Sequence, residues 1–373
     1  MLKNMGNVLR LLPRDSMDRL LAVLRGSGYE CVGPVVHDGA IVYRPLHAAT
    51  DLPHGWRDHQ APGTYRLERT DSPRAFAWAV GPEALKPLTF APHESLWRVV
   101  RDGEGQLRFE AVAPPAPRIA VIGVRACDLA ALELQDQHFL EGRYVDPYYA
   151  ARRAQLFLVA VHCTHPADTC FCASTGDGPR AESGFDLALY EQDEGYLLEA
   201  GSERGAEILA TLDLAPATPR QESLAREEVE RAAGGQTRHY PLCDMPYTLL
   251  ANLDNARWDD VAERCLACGN CTSVCPTCFC HAETEEPALN GETSEHTRIW
   301  DSCFTAGHSY AAGQVLRSET KLRYRQWLLH KLATWHDQYG RSGCVGCGRC
   351  ITWCPASIDI TEEANGLCGE PTR

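Results

Sequence analysis

The string C-x2-C-x2-C-x3-C-P occurs twice in this 373-residue chain, as Cys265, Cys268, Cys271 and Cys275 with Pro276 and as Cys344, Cys347, Cys350 and Cys354 with Pro355. Three thiols drawn from one short loop must surround one face of a common ligand, so the residues between them have to be small or turn-forming. Ala267, Gly269, Gly346 and Gly348 fill those places. Backbone N–H groups exposed in such a loop can donate to sulfur, and the proline after the fourth cysteine ends the local backbone pattern. Structural zinc also takes four thiolates, but zinc ribbons use paired C-x2-C knuckles and need neither the third cysteine nor the C-P ending.

The two strings therefore read as the ligands of two [4Fe-4S] clusters, in the manner of bacterial ferredoxins, where the fourth cysteine reaches the other cluster. One cluster is assigned to Cys265, Cys268, Cys271 and Cys354, and the other to Cys344, Cys347, Cys350 and Cys275. Sixty-eight residues separate Cys275 from Cys344, far more than a minimal ferredoxin uses. This insert opens with HAETEEPALNGETSEH, which reads as an acidic loop, and continues as a helical segment over 311–340. Its basic residues make a docking surface for an acidic partner or a positive shell around anionic clusters. The plainer alternative is an amphipathic helix that packs Leu322, Trp327, Leu328 and Trp335 inward.

Twelve of the eighteen cysteines lie between 265 and 368, and the chain is long enough to bury its cores without disulfide staples. MLKNMGNVLRLLPRDS has no signal-peptide core, and no stretch approaches a membrane span, so the expected location is cytoplasmic, with no membrane span. In a reducing compartment clustered thiols mean metal or redox chemistry. A formal charge of -14 argues against nucleic acid as a partner.

The rest of the chain gives an α+β pattern in three parts. Residues 1–117 form a β-rich N-terminal segment: a helix over 17–27 after Asp15 and Ser16, then short strand-like runs such as AIVYRPL and FAWAV. Residues 118–240 form a central α/β domain. RIAVIGV and QLFLVAV are buried parallel strands joined through helices, the second of which Asp146 caps with Pro147 in its first turn. A hairpin (FDLALYEQDEGYLLEA) and a polar helix (ESLAREEVERAA) follow. Residues 241–373 form the ferredoxin-like two-cluster domain with its helical insert.

Cys163, Cys170 and Cys172 lie at the carboxyl end of a predicted strand, and Cys127 at the end of the neighbouring one, where open α/β sheets place functional loops. The four are candidates for a third [4Fe-4S] cluster. A zinc site using His162 or His165 and a set of buried thiols without metal are the alternatives. Cys278, Cys280 and Cys303 read as packing beside the clusters, and Cys31, Cys243 and Cys368 as structural. Among the histidines His281 is the one beside a cluster motif.

GVRACDLAALE, DPYYAARR, VHCTHPADTCFC, CPTCFC, RIWDSC and HKLATWHDQYGRSGCVGCGRCITWCPASIDI together resemble the iron-sulfur subunit family shared by the beta subunit of cytosolic [NiFe] sulfhydrogenases and the corresponding iron-sulfur chain of anaerobic sulfite reductase. The resemblance covers roughly 118–360. It implies an electron-transfer subunit with no catalytic residue of its own. Its partners would be a flavin- and NAD(P)-binding subunit, with a [2Fe-2S] cluster, and the hydrogenase small and large subunits, or a siroheme subunit in a sulfite reductase complex. A stand-alone iron-sulfur enzyme with an open cluster in the central domain is the alternative of another class. The chain itself has no G-x-G-x-x-G fingerprint and no P-loop.

Overall fold

The computed structural model describes residues 8–83 and 85–369. An open seven-stranded sheet runs in the order Arg10–Pro13, Gly195–Ala200, Leu187–Gln192, Leu156–Val161, Ile119–Val124, Glu30–His37, Ala40–Pro45. The inner four strands are parallel and the outer ones antiparallel. Every residue of Leu156–Val161 is buried, as its unbroken apolar run requires of a strand covered on both faces. The helix Ala126–Leu140 leaves the end of Ile119–Val124. In the next helix, Pro147–Arg153, the Asp146 carboxylate accepts from the N–H of Tyr148 and Tyr149 at 2.9 and 2.8 Å.

A second sheet of four strands pairs His93–Arg101 and Leu107–Ala111 with His281–Pro287 and Thr293–Trp300. N-terminal residues thus complete both sheets. The insert's acidic stretch, read from sequence as a loop, is this antiparallel hairpin. Its alternation is between polar residues rather than between polar and apolar ones, so a hydrophobic period cannot reveal it. His296 reaches across to Glu285 and Glu283 at 2.6 and 3.2 Å.

FAWAV, predicted as a strand, belongs to no sheet. Side chains satisfy its backbone instead: Glu191 accepts from Ala75 and Phe76, Asp58 accepts from Ala79, and Arg125 donates to the carbonyls of Phe76, Trp78 and Ala79. The insert's helix begins only at Thr320, after a short hairpin of Tyr310–Ala311 with Gln314–Val315. It runs to Leu329, passes through one π turn at His330–Thr334 and ends at Trp335–Tyr339. Trp327, Leu328 and Trp335 are buried as expected, but Tyr324 takes the inner place predicted for Leu322. A disulfide joins Cys243 to Cys368.

The two TCFC strings dock the central and cluster regions reciprocally. Phe171 is 2 % exposed and packs into the core that holds Trp258, Trp327 and Ile351. Phe279 stacks on His138 of the helix Ala126–Leu140, ring centres 3.6 Å apart.

Candidate iron-sulfur centres

Both cysteine loops adopt the same backbone turn. Ala267 and Gly269 in the first and Gly346 and Gly348 in the second all have positive φ, between 49° and 75°. Glycine is required in the second loop by what lies against it. A Cβ at 346 would stand 2.5 Å from the backbone nitrogen of Cys172, and one at 348 would stand 2.4 Å from the carbonyl oxygen of Thr169. The first loop faces outward, with Leu266 67 % exposed and Cys268 exposed.

Cys354, from the second string, lies with the first string: one cavity is walled by Cys265, Cys268, Cys271 and Cys354, with Cys350 also lining it beside Tyr324, Trp327 and Ile358. Burial pushes the Cys271 thiol well up, and its neighbours Cys265, Cys354 and Cys268 push it further. The Cys265 sulfur accepts from the N–H of Ala267 at 3.4 Å, and that of Cys354 from Ile358 at 3.3 Å. Tyr324 Oη and Trp327 Nε1 are buried with no hydrogen-bond partner among the described residues. Donors left free beside four thiols fit a group that offers sulfur acceptors, and a [4Fe-4S] cluster is such a group.

Cys275 lies in turn with the second string. Burial raises the Cys350 thiol well above its ordinary value, followed by Cys344, Cys347 and Cys275. The Cys275 thiol is held low, first by its hydrogen bond with Cys278 and, against burial, by the charge of Lys331. Thiols held protonated by burial release those protons when they bind metal.

The upstream set also converges. Cys127 lies in the first turn of Ala126–Leu140, Cys163 just beyond Leu156–Val161, and Cys170 and Cys172 in the loop that follows. All four are buried. Burial raises the Cys170 thiol, as do Cys172 and Cys163; Cys127 is raised by burial, then by Asp128 and Cys172. Gln236 Nε2 donates to the Cys172 sulfur at 3.3 Å. The Arg125 guanidinium, 2 % exposed, leaves Nη1 without a partner among the described residues, and its charge acts on Cys163. An unpaired buried donor whose charge acts on Cys163 fits an anionic cluster here too. His162 is engaged at both ring nitrogens, by Glu199 and the N–H of Ala181, and His165 lies against Arg57 and Asp58.

The upstream set and the second string touch directly. Phe171 N–H donates to the Gly346 carbonyl at 2.8 Å, Thr169 Oγ1 lies 2.8 Å from Thr352 Oγ1, and the Cys170 sulfur is 3.8 Å from the Cys347 carbonyl. His281, singled out from sequence, is exposed and packs edge-on to Phe90. The histidine brought to thiols is His308, beside Cys280 and Cys303. Fold alone makes that approach, since no motif spacing links the three.

The fold and these thiol groups define an iron-sulfur electron-transfer protein, and residues 264–358 match the 4Fe-4S dicluster domain family. The chain is 30 % identical over 319 residues to sulfhydrogenase 2 subunit beta of Pyrococcus furiosus, which covers 82 % of this chain and 90 % of that one. It belongs to the iron-sulfur subunit family of that protein. No solved structure matches it. No helix among the described residues is long and apolar enough to cross a membrane.

Proposed function

We propose that the chain relays single electrons in a hydrogenase complex of the sulfhydrogenase type, between a flavin subunit that exchanges electrons with NADP(H) and the small and large subunits of a [NiFe] hydrogenase. Cys265, Cys268, Cys271 and Cys354 would hold one [4Fe-4S] cluster, Cys344, Cys347, Cys350 and Cys275 a second, and Cys127, Cys163, Cys170 and Cys172 a third. Each cluster, when bound, takes up and gives back one electron. The observation that carries this reading is the contiguity of the three sets. Gly346 meets the loop of Cys170 and Cys172, Cys275 and Cys354 cross between the two strings, and the first loop ends at the exposed Cys268. The thiols thus run unbroken from the buried centre to a surface where Leu266 offers an apolar contact.

Iron and sulfide analysis of the anaerobically purified chain tests it, with low-temperature EPR of the dithionite-reduced form. About twelve irons per chain are expected at four per cluster, and about eight would remove the third cluster. Cys172→Ser should lower the count by about four, and a variant that keeps all its iron would also remove that cluster. The chain alone should accept electrons without turning over a substrate; turnover without partners would make it an enzyme instead. Nickel and a hydrogenase large subunit should copurify with it, and siroheme in their place would assign it to a sulfite reductase complex.

A further inference from the structure

The hairpin of the insert ends in a thiol–imidazole group that the relay does not use. His281 pairs with Trp300 at the open end of the hairpin, and the Asp301 N–H donates to the Cys280 carbonyl at 2.9 Å, so the ladder continues one step past the strands. Cys280 and the segment Asp301–Cys303 therefore leave the sheet side by side. The chain then turns at Ser302–Thr305, where the Thr305 hydroxyl donates to the Asp301 carboxylate and accepts from the N–H of His308. That turn carries the His308 ring back over the two thiols.

The result is tight. Cys280 Sγ, Cys303 Sγ and a ring nitrogen of His308 all lie within 4.8 Å of one another, with Cys303 buried and the other two half-buried. Around one tetrahedral zinc ion, bond lengths near 2.3 Å to sulfur and 2.0 Å to nitrogen put neighbouring ligand atoms about 3.5–3.8 Å apart. A cubane spreads its thiolates over a body several atoms wide. Accordingly, the cysteines of the two strings form no such group, and among the described residues this trio is the only set of three or more candidate ligand atoms so close.

We propose that Cys280, Cys303 and His308 bind a single divalent ion of zinc chemistry. Two thiolates neutralise the ion, and the neutral imidazole adds no charge. Three protein ligands leave a fourth position for water. On one side Cys280 borders a cavity of about 180 Å³ that Cys268, Cys278 and Trp300 also line. The ion would pin the insert's hairpin to the cluster domain, which gives Cys280 and Cys303 a purpose that packing alone does not. Soft thiolates with one imidazole favour Zn²⁺ over Mg²⁺ or Ca²⁺.

Metal analysis of the full chain, purified anaerobically and freed of loose metal, should return one zinc per chain in addition to the iron. His308→Ala should lose that zinc and keep the iron and the EPR spectra of the clusters. Cys303→Ser should do the same; if it does not fold, the half-buried His308 variant with Co²⁺ substitution carries the test, through loss of the cobalt–thiolate charge-transfer absorption. A chain that neither contains zinc nor takes up one equivalent of Zn²⁺ or Co²⁺ overturns the proposal. So does a His308→Ala chain that keeps its zinc, or a loss of about four irons from Cys280→Ser, which would make the site a further cubane. Zinc is the readout here and iron the readout for the relay, so failure of either reading leaves the other intact.

Discussion

Lys331 holds its ammonium nitrogen 3.4 Å from the sulfur of Cys275, and 2.9 Å from the hydroxyl of Thr277, inside the cluster domain. The side chain is 4 % exposed and arrives there through the π turn His330–Thr334, which rotates one extra residue inward. A fixed cation beside one ligand stabilises the reduced, more negative state of whatever that ligand binds.

Lys331→Met should therefore lower the potential of the cluster assigned to Cys344, Cys347, Cys350 and Cys275. At about 6 Å and an effective dielectric of about 20, a unit charge is worth about 3 kcal/mol, on the order of 100 mV. An EPR-monitored redox titration of the variant, at unchanged iron content, reads the shift. A potential equal to that of the parent would mean that Lys331 does no more than pack.

Asp128 and Arg349 tie the central helix to the second cysteine loop. Their bidentate contacts are 2.7 and 3.1 Å and both side chains are 1 % exposed. Asp128→Asn leaves the arginine charge buried without a counter-ion, which costs about 3–5 kcal/mol. Paired replacement by Asp128→Leu and Arg349→Met should recover much of it. Anaerobic urea unfolding of the parent and the two variants, followed by cluster absorbance and by far-ultraviolet circular dichroism, measures both effects. A double variant no more stable than Asp128→Asn would show that Arg349 is needed for its bonds to the carbonyls of Gly81 and Glu83 instead.

Cys354 is the sharpest test of the crossed ligand sets. Cys354→Ser should alter the EPR signal of the exposed cluster, the one assigned to Cys265, Cys268 and Cys271, and Cys275→Ser the signal of the other. If each variant instead disturbs the cluster of its own string, the cavity shared by Cys354 and Cys271 misassigns them.

What the sequence revealed follows from which forces are local. The strand Leu156–Val161, the Asp146 cap and the turns at Gly269 and Gly348 were legible because each rests on neighbours in the chain. The hairpin His281–Pro287 with Thr293–Trp300 was not, since its partner strand His93–Arg101 lies almost two hundred residues away and its polar faces carry no hydrophobic period. FAWAV misled for a related reason: its apolar run is buried, but Glu191, Asp58 and Arg125 stand where strands would. Among the site residues, string spacing pointed to eight cysteines, whereas His308 has no spacing signal and only the turn at Ser302–Thr305 brings it to Cys303.

His138 supplies a pH dependence at the same interface. Its Nδ1 lies 2.8 Å from the Tyr339 hydroxyl and its ring stacks on Phe279. Burial, helped by His281, pushes its pKa down to about 4 from an ordinary 6.5. The folded chain therefore keeps this ring neutral where the unfolded chain takes up a proton. Stability from the group is fully present above about pH 6.5 and is lost as pH falls from there towards 4. Because the ring is only half-buried, the loss is about 1–2 kcal/mol rather than the full linkage value. His138→Gln removes the titration and keeps a partner for Tyr339, so its urea midpoint should fall less than the parent's between pH 7 and pH 5.5. Equal falls in the two proteins would place the acid sensitivity elsewhere, in the clusters or in His330, whose burial lowers it likewise.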